Sequence, residues 1–165
     1  MDAMRTFASI VVLFLLILPI SVRAESADLI VVKKAARRII LMRGEKPIEQ
    51  FNISLGGSPV GPKHCEGDQK TPEGDYKIVA RNAQSKYYKS LQISYPNSAD
   101  RKYAATKRCN PGGDIMIHGL PNGYRLVDTS QKLPDWTIGC IAVKDSEMDK
   151  IWELVPVGTA VRIEP

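Results

Sequence analysis

Short apolar or alternating segments bounded by turn residues run through this chain, and they constrain its fold more than any other feature. Three of them, Leu29–Val32, Arg38–Met42 and Glu49–Leu55, follow one another closely, with turn residues at 44–47. Short runs rich in β-branched side chains favour strands over helices. The first part of the folded domain is therefore expected to be a three-stranded meander.

The same pattern recurs later in the chain, where only two helices are indicated. Further strands are predicted at 76–80, 91–95, 115–118, 138–143 and 159–163. One helix is predicted over Ser98–Lys107 with Ser98 as its N-cap. The second is predicted to begin at Asp145 as N-cap, and Met148, Ile151, Trp152 and Val155 would form its apolar stripe. We expect a mainly β domain, a sandwich or meander of about eight strands with one or two short helices.

Residues 56–74 interrupt this pattern with five glycines, three prolines and almost no apolar side chains. Long segments of this kind in compact domains are often functional loops. The sequence Thr71-Pro72-Glu73-Gly74 at its end is typical of a tight turn. We predict an ordered loop, called the flap from here on.

Residues 1–24 have the features of an export signal. Arg5 is followed by an apolar run, Phe7–Val22, and Val22-Arg23-Ala24 offers small residues where a signal peptidase cuts. The alternative is an uncleaved membrane anchor, but the run is short for a span and Pro19 interrupts it. We expect cleavage after Ala24 and one folded domain over residues 25–165 in the periplasm or cell envelope.

The formal net charge of +5 is mild, and the cations are dispersed along the sequence. Such a charge suits an acidic polymer as partner without requiring one. No stripe of Lys and Arg interleaved with aromatic residues is evident, and export argues against nucleic acid as well. Nucleic acid is therefore not expected as a partner.

Three cysteines in an exported protein leave one without an intramolecular partner. Cys65 and Cys109 both lie in polar, turn-rich sequence, where a disulfide stabilising the fold by about 4 kcal/mol could form. The alternative is two reduced surface thiols. If the bridge forms, Cys140 is the free thiol.

Cys140 and His118 are the candidate catalytic residues. Cys140 follows Gly139 inside an apolar segment, and His118 ends another such segment before Gly119. If the two segments pair, the imidazole can take the thiol proton and leave a nucleophilic thiolate. Taken alone, each residue is more often a buried structural one. Four well-spaced metal ligands are not evident, so no metal is expected. The Gly-x-Ser-x-Gly elbow of serine hydrolases is not evident either, so a serine nucleophile is not expected.

The motifs Ile117-His118-Gly119 and Thr137-x-Gly139-Cys140 resemble the signature of the L,D-transpeptidase catalytic domain family, which has the YkuD fold. The resemblance extends over most of the chain from residue 28 onward. Further similar segments lie at 54–56, 61–63, 66–74, 112–120 and 135–137.

This resemblance implies an exported enzyme that acts on peptidoglycan stem peptides without metal or organic cofactor. Cys140 would be the nucleophile and His118 its base, oriented by the Gly119 carbonyl. Backbone N–H groups at Gly139 and Cys140 would bind the oxyanion. An amine of a second stem peptide, or of an envelope protein, would accept the acyl group. The expected substrate-binding residues are Trp136, Thr137, Ile138 and Arg125.

Two departures from the family pattern leave the acceptor open. Ile138 stands where many members carry a second histidine, and Ala142 stands where an arginine is usual. Arg125, Lys144 and Arg108 are candidate cations for the role of that arginine. A thiol-dependent L,D-carboxypeptidase or amidase would share every catalytic residue, and a non-catalytic wall-binding module is the alternative from another class.

Overall fold

The computed structural model describes residues 26–124 and 134–165. The predicted export signal, residues 1–24, and the candidate Arg125 lie outside these residues. No helix in the described part is long and apolar enough to cross a bilayer.

The described residues form eight strands and two helices, which confirms the predicted mainly β architecture. The strands are β1 Leu29–Lys33, β2 Arg38–Arg43, β3 Lys46–Asn52, β4 Gly74–Ser85, β5 Tyr88–Ile93, β6 Met116–His118, β7 Ile141–Ala142 and β8 Ala160–Glu164. The helices are α1 Ser98–Thr106 and α2 Asp145–Leu154. The flap connects β3 to β4, as predicted.

The strands are hydrogen-bonded in the order β3-β2-β1-β8-β4-β5-β6-β7. Strands β1, β2 and β3 form the predicted antiparallel meander. The long strand β4 joins the two halves of the sheet, because Gly74–Lys77 pairs with β8 and Ile78–Ser85 pairs with β5. The pairs β1–β8 and β6–β7 are parallel. The last of these parallel pairs carries both candidate catalytic residues at or beside its strands.

Alternation along the strands builds the core. Ile30 and Val32 of β1 and Ile39 and Leu41 of β2 are fully buried, while their neighbours are more exposed. The predicted stripe on α2 faces the same core, with Met148, Ile151 and Val155 buried and Trp152 packed at its edge. Each such aliphatic side chain stabilises the fold by about 1.5–3 kcal/mol on burial.

The predicted helix caps are each wrong by one residue. Asn97, not Ser98, caps α1, because its side-chain oxygen accepts from the N–H groups of Ala99 and Asp100 at 2.8 and 3.0 Å. At α2 the cap position is Lys144, and its N–H donates to the Glu147 carboxylate at 2.9 Å. Asp145 instead accepts from the N–H of Leu120 at 2.8 Å, which ties α2 to the end of β6.

Two strand boundaries also differ from the prediction. β3 begins at Lys46, inside the predicted turn 44–47, because Gly44 at φ +56° and Glu45 complete the reversal alone. β4 is longer than the predicted segment 76–80, since its second half gains a partner in β5 that the local sequence does not reveal.

Candidate active site

Parallel pairing of β6 with β7 brings the two candidate catalytic residues onto neighbouring strands. Ile117 pairs with Ile141, and His118 pairs with Ala142. Continuing this register places Cys140 opposite Met116. Because residues two apart in a strand share a face, Cys140 and His118 project from adjacent strands toward the same side of the sheet.

His118 is held in one orientation by the backbone. Its side chain is buried, only 3% exposed, and its Nδ1 lies 2.7 Å from the Gly119 carbonyl oxygen. A carbonyl can only accept, so Nδ1 carries the proton and Nε2 keeps a free lone pair. The predicted contact with Gly119 is thus present. Burial lowers the pKa of His118, and the Gly119 hydrogen bond opposes this only in part.

Two aromatic side chains surround the imidazole. The ring of Tyr87 lies 4.6 Å from that of His118, and the ring of Trp136 lies 5.8 Å away, edge-on. Tyr87 and Trp136 also contact each other, with centroids 6.0 Å apart. These rings keep the imidazole out of water, which accounts for the direction of its pKa shift. Sequence analysis missed Tyr87, since a tyrosine before a strand gives no signal of its position.

Cys140 is the free thiol of the described chain and is only partly buried. Its Sγ lies 3.5 Å from the Asp114 carbonyl oxygen, to which the thiol donates. Burial raises the pKa of Cys140, and the Asp114 charge adds to this, while the Met116 N–H and the Lys63 charge lower it. The raised pKa of the thiol and the lowered pKa of His118 favour a neutral thiol beside a neutral imidazole in the resting state.

The nucleophile turn, residues 135–140, is held by short internal hydrogen bonds. The buried Thr137 hydroxyl donates to the Cys140 carbonyl at 2.8 Å and accepts from the Gly139 N–H at 3.1 Å. The backbone of Thr137 also pairs with residues 55 and 57, which carry the chain from β3 into the flap. The Thr137 side chain is therefore engaged inside the turn, and the Gly139 N–H is engaged with it.

An ion pair holds the start of the nucleophile turn. The Arg37 guanidinium donates to the Asp135 carboxylate through Nε, at 3.0 and 3.1 Å, and through Nη2, at 2.7 Å. Asp135 also accepts from the Leu55 N–H at 2.9 Å. Asp135 directly precedes Trp136, so this pair positions the ring that packs against His118. Arg37 lies 98 positions from Asp135, and no sequence signal links them.

A cavity of about 340 Å³ lies beside Ala142, the position where an arginine is usual in the family. Arg37 and Lys144 both line it, together with Asp135 and Glu147. Of the three cations predicted to replace that arginine, the structure therefore places Lys144 at this cavity. Arg108 follows α1 instead. Arg37 is the further cation here that sequence analysis did not single out.

A buried lysine anchors the flap at Gly61 and near its C-terminal end. Lys34 is only 2% exposed, and its ammonium donates to the Gly61 and Thr71 carbonyls at 2.6 and 2.9 Å. Its third partner is the Glu73 carboxylate at 2.7 Å. Burial lowers the pKa of Lys34, and the hydrogen bond and charge of Glu73 raise it. The network fixes the flap to the end of β1.

A second charged network lies inside the flap. The Asp68 carboxylate accepts from the Lys63 ammonium at 2.8 Å and from the N–H groups of His64, Cys65 and Lys70 at 2.8–3.1 Å. Desolvation raises the pKa of Asp68, but these hydrogen bonds outweigh it and bring the value to about 2. The predicted Cys65–Cys109 disulfide is confirmed, with Cα atoms 5.7 Å apart, and joins the flap to the chain after α1.

The flap packs directly on the nucleophile turn. Gly139 has φ +133°, and a Cβ built on it would lie 2.6 Å from the Lys70 carbonyl oxygen. A Cβ on Gly56 would overlap the Gln69 carbonyl. Gly119 is equally confined, since a Cβ there would lie 2.6 Å from an Asp145 carboxylate oxygen and 2.9 Å from Tyr88 Cβ. Glycine is thus required on the chain beside both candidate catalytic residues.

The predicted substrate-binding residues have different surroundings. Ile138 is 76% exposed beside the nucleophile and is free to contact a ligand, whereas Thr137 is buried. Trp136 is half-buried and lines an apolar cavity with Leu120, Pro121, Tyr124 and Pro134. Within residues 26–124 and 134–165, no group of three His, Cys, Asp or Glu side chains is placed to hold a metal ion.

The structure thus combines a mainly β domain with a candidate thiol–imidazole site at the parallel pair β6–β7. The family described as L,D-transpeptidase catalytic domain (YkuD) matches residues 27–163. The chain therefore belongs to this family.

Relatives and solved structures agree with this assignment. The chain is 29% identical over 110 residues to "Putative L,D-transpeptidase YafK" of Escherichia coli K12, a stretch that covers 66% of this chain and 37% of that protein. The helical cell shape determining protein Pgp2 of Campylobacter jejuni superposes with a TM-score of 0.63 at 26% identity, covering 86% of this chain and 48% of Pgp2.

A third structure shows the same fold at lower identity. Bd1075 of Bdellovibrio bacteriovorus superposes with a TM-score of 0.57 at 24% identity, over 87% of this chain and 50% of Bd1075. This chain thus spans about half or less of the relatives that it matches.

Proposed function

We propose that this chain is an exported cysteine acyltransferase, an L,D-transpeptidase acting on peptidoglycan stem peptides in the periplasm. The observation that carries the proposal is the shared face of Cys140 and His118, with His118 Nδ1 fixed on the Gly119 carbonyl. In this proposal Nε2 is the base that takes the proton of the Cys140 thiol. The name of Pgp2, a protein that determines helical cell shape, agrees with a wall substrate.

In the proposed first half-reaction, His118 takes the Cys140 proton and the thiolate attacks the carbonyl at an L-centre of the donor peptide. The oxyanion is bound by the Cys140 N–H, because the Gly139 N–H already donates to Thr137. His118 then returns the proton to the departing amine, which leaves as a terminal D-amino acid. The donor peptide remains bound to Sγ as a thioester.

In the second half-reaction an amine of another stem peptide, or of an envelope protein, attacks the thioester. His118 accepts the amine proton, and the thiol is regenerated when the new amide bond forms. Water in place of the amine would give an L,D-carboxypeptidase or amidase with the same residues. The exposed Ile138, where many family members carry histidine, and the cavity beside Ala142 are the positions where acceptor preference would differ.

Product analysis tests this function. Purified protein is incubated with disaccharide-tetrapeptide, and the products are separated and identified by mass spectrometry. Cross-linked dimers are expected, whereas tripeptide alone would assign the chain as a hydrolase. Cys140→Ala should lower turnover by at least about 10³-fold while the circular dichroism spectrum stays unchanged. Normal rates in that variant would overturn the mechanism.

A second measurement separates an enzyme from a wall-binding module. A carbapenem-type β-lactam should acylate Cys140 in the folded protein and add its mass to one peptide. The Cys140→Ala protein is the control and should gain no mass. Absence of both labelling and turnover in folded protein would favour the binding module.

A further inference from the structure

Four exposed cations lie on α1 and directly after it, outside the candidate active site. Arg101, Lys102, Lys107 and Arg108 are all exposed. Within the described residues none of the four forms a salt bridge. We call these four residues the α1 basic face. Arg101 and Lys102 lie on α1, Lys107 is its C-cap and Arg108 follows it, so the four charges lie within eight residues of one another along the chain.

The helix contributes little to the core, so packing does not explain its composition. Ala104 is the one buried residue of α1. Its acidic residue, Asp100, is turned inward, where it accepts from the Tyr76 hydroxyl at 3.2 Å and from the Asn97 N–H at 2.8 Å. Asp100 therefore does not neutralise the exposed side. Four like charges are left facing solvent without a counter-charge on the helix.

The α1 basic face is built on a fixed base. Tyr103 stacks on His64 with ring centroids 4.0 Å apart, and the Lys107 ammonium lies 5.5 Å from the Tyr103 ring. His64 precedes Cys65, whose disulfide to Cys109 ties the end of α1 to the flap. The aromatic stack and the bridge thus fix the backbone that carries the cations, so that a ligand need not order it on binding.

The α1 basic face is also connected to the candidate active site through a short stretch of chain. After Cys109 the chain passes through 110–113 to Asp114, whose carbonyl accepts from the Cys140 thiol at 3.5 Å. On its other side the Cys65–Cys109 bridge leads into the flap that packs on Gly139. The segment that carries the four cations is therefore joined covalently both to the flap and to the chain that leads to Asp114.

We propose that the α1 basic face is a docking surface for the carboxylates of the insoluble peptidoglycan polymer. This inference deepens the proposed function and rests on it for the identity of the polymer. Stem peptides repeat free carboxylates along the wall, so several weak contacts act together. Complementary charge favours encounter with the polymer and orients it, while the chemistry is left to Cys140 and His118.

Co-sedimentation with purified sacculi tests the proposal, using the full chain with Cys140→Ala so that no product forms. In that background the test variant carries R101Q, K102Q, K107Q and R108Q. The matched control carries K33Q, K46Q, K77Q and K150Q, which removes four exposed cations elsewhere. We expect bound protein at low salt to fall about five-fold or more in the test variant and less than two-fold in the control. Circular dichroism checks that both are folded.

Three outcomes would overturn the proposal. Equal losses in the two variants would show that only net charge matters, and no loss in either would show that α1 is not used. If vesicles of phosphatidylglycerol bind through the four cations and sacculi do not, the occupant is a membrane surface. Loss of binding to sacculi at about 0.3 M salt supports the charge-based contact.

Failure of the proposed function is read separately. Turnover of soluble disaccharide-tetrapeptide is measured with Cys140 intact, because this substrate lacks the repeating carboxylates of the polymer. Absence of that turnover would reject the acyltransferase and leave the sacculus-binding result standing. If the protein turns over the soluble substrate but its binding to sacculi does not depend on the α1 cations, the acyltransferase is retained and the docking surface is rejected.

Discussion

The flap and the nucleophile turn lie against each other, yet they are held by different kinds of interaction. The flap is fixed by buried charges, with Lys34 at Gly61 and near its C-terminal end, and Lys63 with Asp68 inside it. The turn is fixed by backbone hydrogen bonds around Thr137 and by the absence of a side chain at Gly139. Damage to the flap should therefore appear in stability, and damage to the turn should appear in turnover.

This difference follows from what each segment must do. The flap has few apolar side chains to bury, so ion pairs and a disulfide replace a core. The turn must leave its thiol reachable, so its own side chains cannot cover it. Thr137 has the one buried side chain of this turn, and its hydroxyl is hydrogen-bonded to the backbone.

The largest expected effect is on stability, from Lys34→Met. Removing the ammonium leaves the Glu73 carboxylate and the Gly61 and Thr71 carbonyls without their donor. Breaking a buried pair from one side costs about 3 kcal/mol or more. Urea unfolding of the variant and of Lys33→Met, the exposed last residue of β1, measures the difference. Equal stability in the two variants would contradict the anchoring role.

The next effect is on turnover, from Gly139→Ala. The new Cβ meets the Lys70 carbonyl at 2.6 Å, and φ +133° is unfavourable for alanine. The turn must shift, and a displacement of about 1 Å at a catalytic group costs about 10²-fold in rate. Gly67→Ala in the flap is the matched control, because φ is +82° there but no atom lies within 4 Å of the new Cβ.

The two glycine variants test whether strain in the flap affects stability alone or also turnover. Gly67→Ala should lose about 1–2 kcal/mol of stability from left-handed strain and keep its turnover. If it loses turnover to the same extent as Gly139→Ala, strain in the flap reaches the nucleophile, and the two regions are not separable.

A smaller effect is expected from the loss of folding stability in acid, which arises in the flap. The pKa of Asp68 is lowered to about 2 in the folded protein, from 3.8. A lowered carboxyl pKa adds stability above the unfolded value, and that stability is lost as pH falls through about 2. Allowing for solvent screening, about 1–2 kcal/mol should disappear between pH 4 and 2. Unfolding by urea across this range checks it, and Asp68→Asn should remove most of the slope.

Much of the fold could be predicted because its signals are local, whereas the catalytic roles of Cys140 and His118 stay a prediction. Alternation in β1 and β2 and the α2 stripe each depend on neighbouring residues, and the structure buries them as expected. The contact of His118 with Gly119 is also between adjacent residues. The odd number of cysteines and the polar sequence around Cys65 and Cys109 favoured their bridge, and the structure decides between it and two reduced thiols.

The interactions that position the site could not be predicted, since they join distant residues of ordinary type. Lys34 reads as a solvated cation in the sequence, but it is buried with partners 27–39 positions away. Arg37 and Asp135 meet only because the β1–β2 turn lies beside the nucleophile turn. The N-cap of α1 was mispredicted for a simpler reason. Asn97 and Ser98 are both favourable N-cap residues, and only the backbone geometry distinguishes them.

The smallest effect concerns the pH at which the base begins to work. Burial lowers the pKa of His118, and the neutral imidazole is the form that accepts the thiol proton. The acid limb of kcat/KM should therefore lie below the ordinary histidine value of about 6.5. Tyr87→Ala opens one side of the imidazole, so its pKa rises and the acid limb moves to higher pH. Tyr87→Phe keeps the ring and should leave the limb in place.

This test depends on the pH midpoint of the acid limb and not on the maximal value of kcat/KM. A loss of activity in Tyr87→Ala could come from substrate binding, but only a change at the base moves the midpoint on the pH axis. A midpoint that stays fixed in Tyr87→Ala would assign the limb to another group. Tyr87 and Trp136 would then contact the substrate without changing the pKa of His118. Turnover would not depend on the exclusion of water from the imidazole.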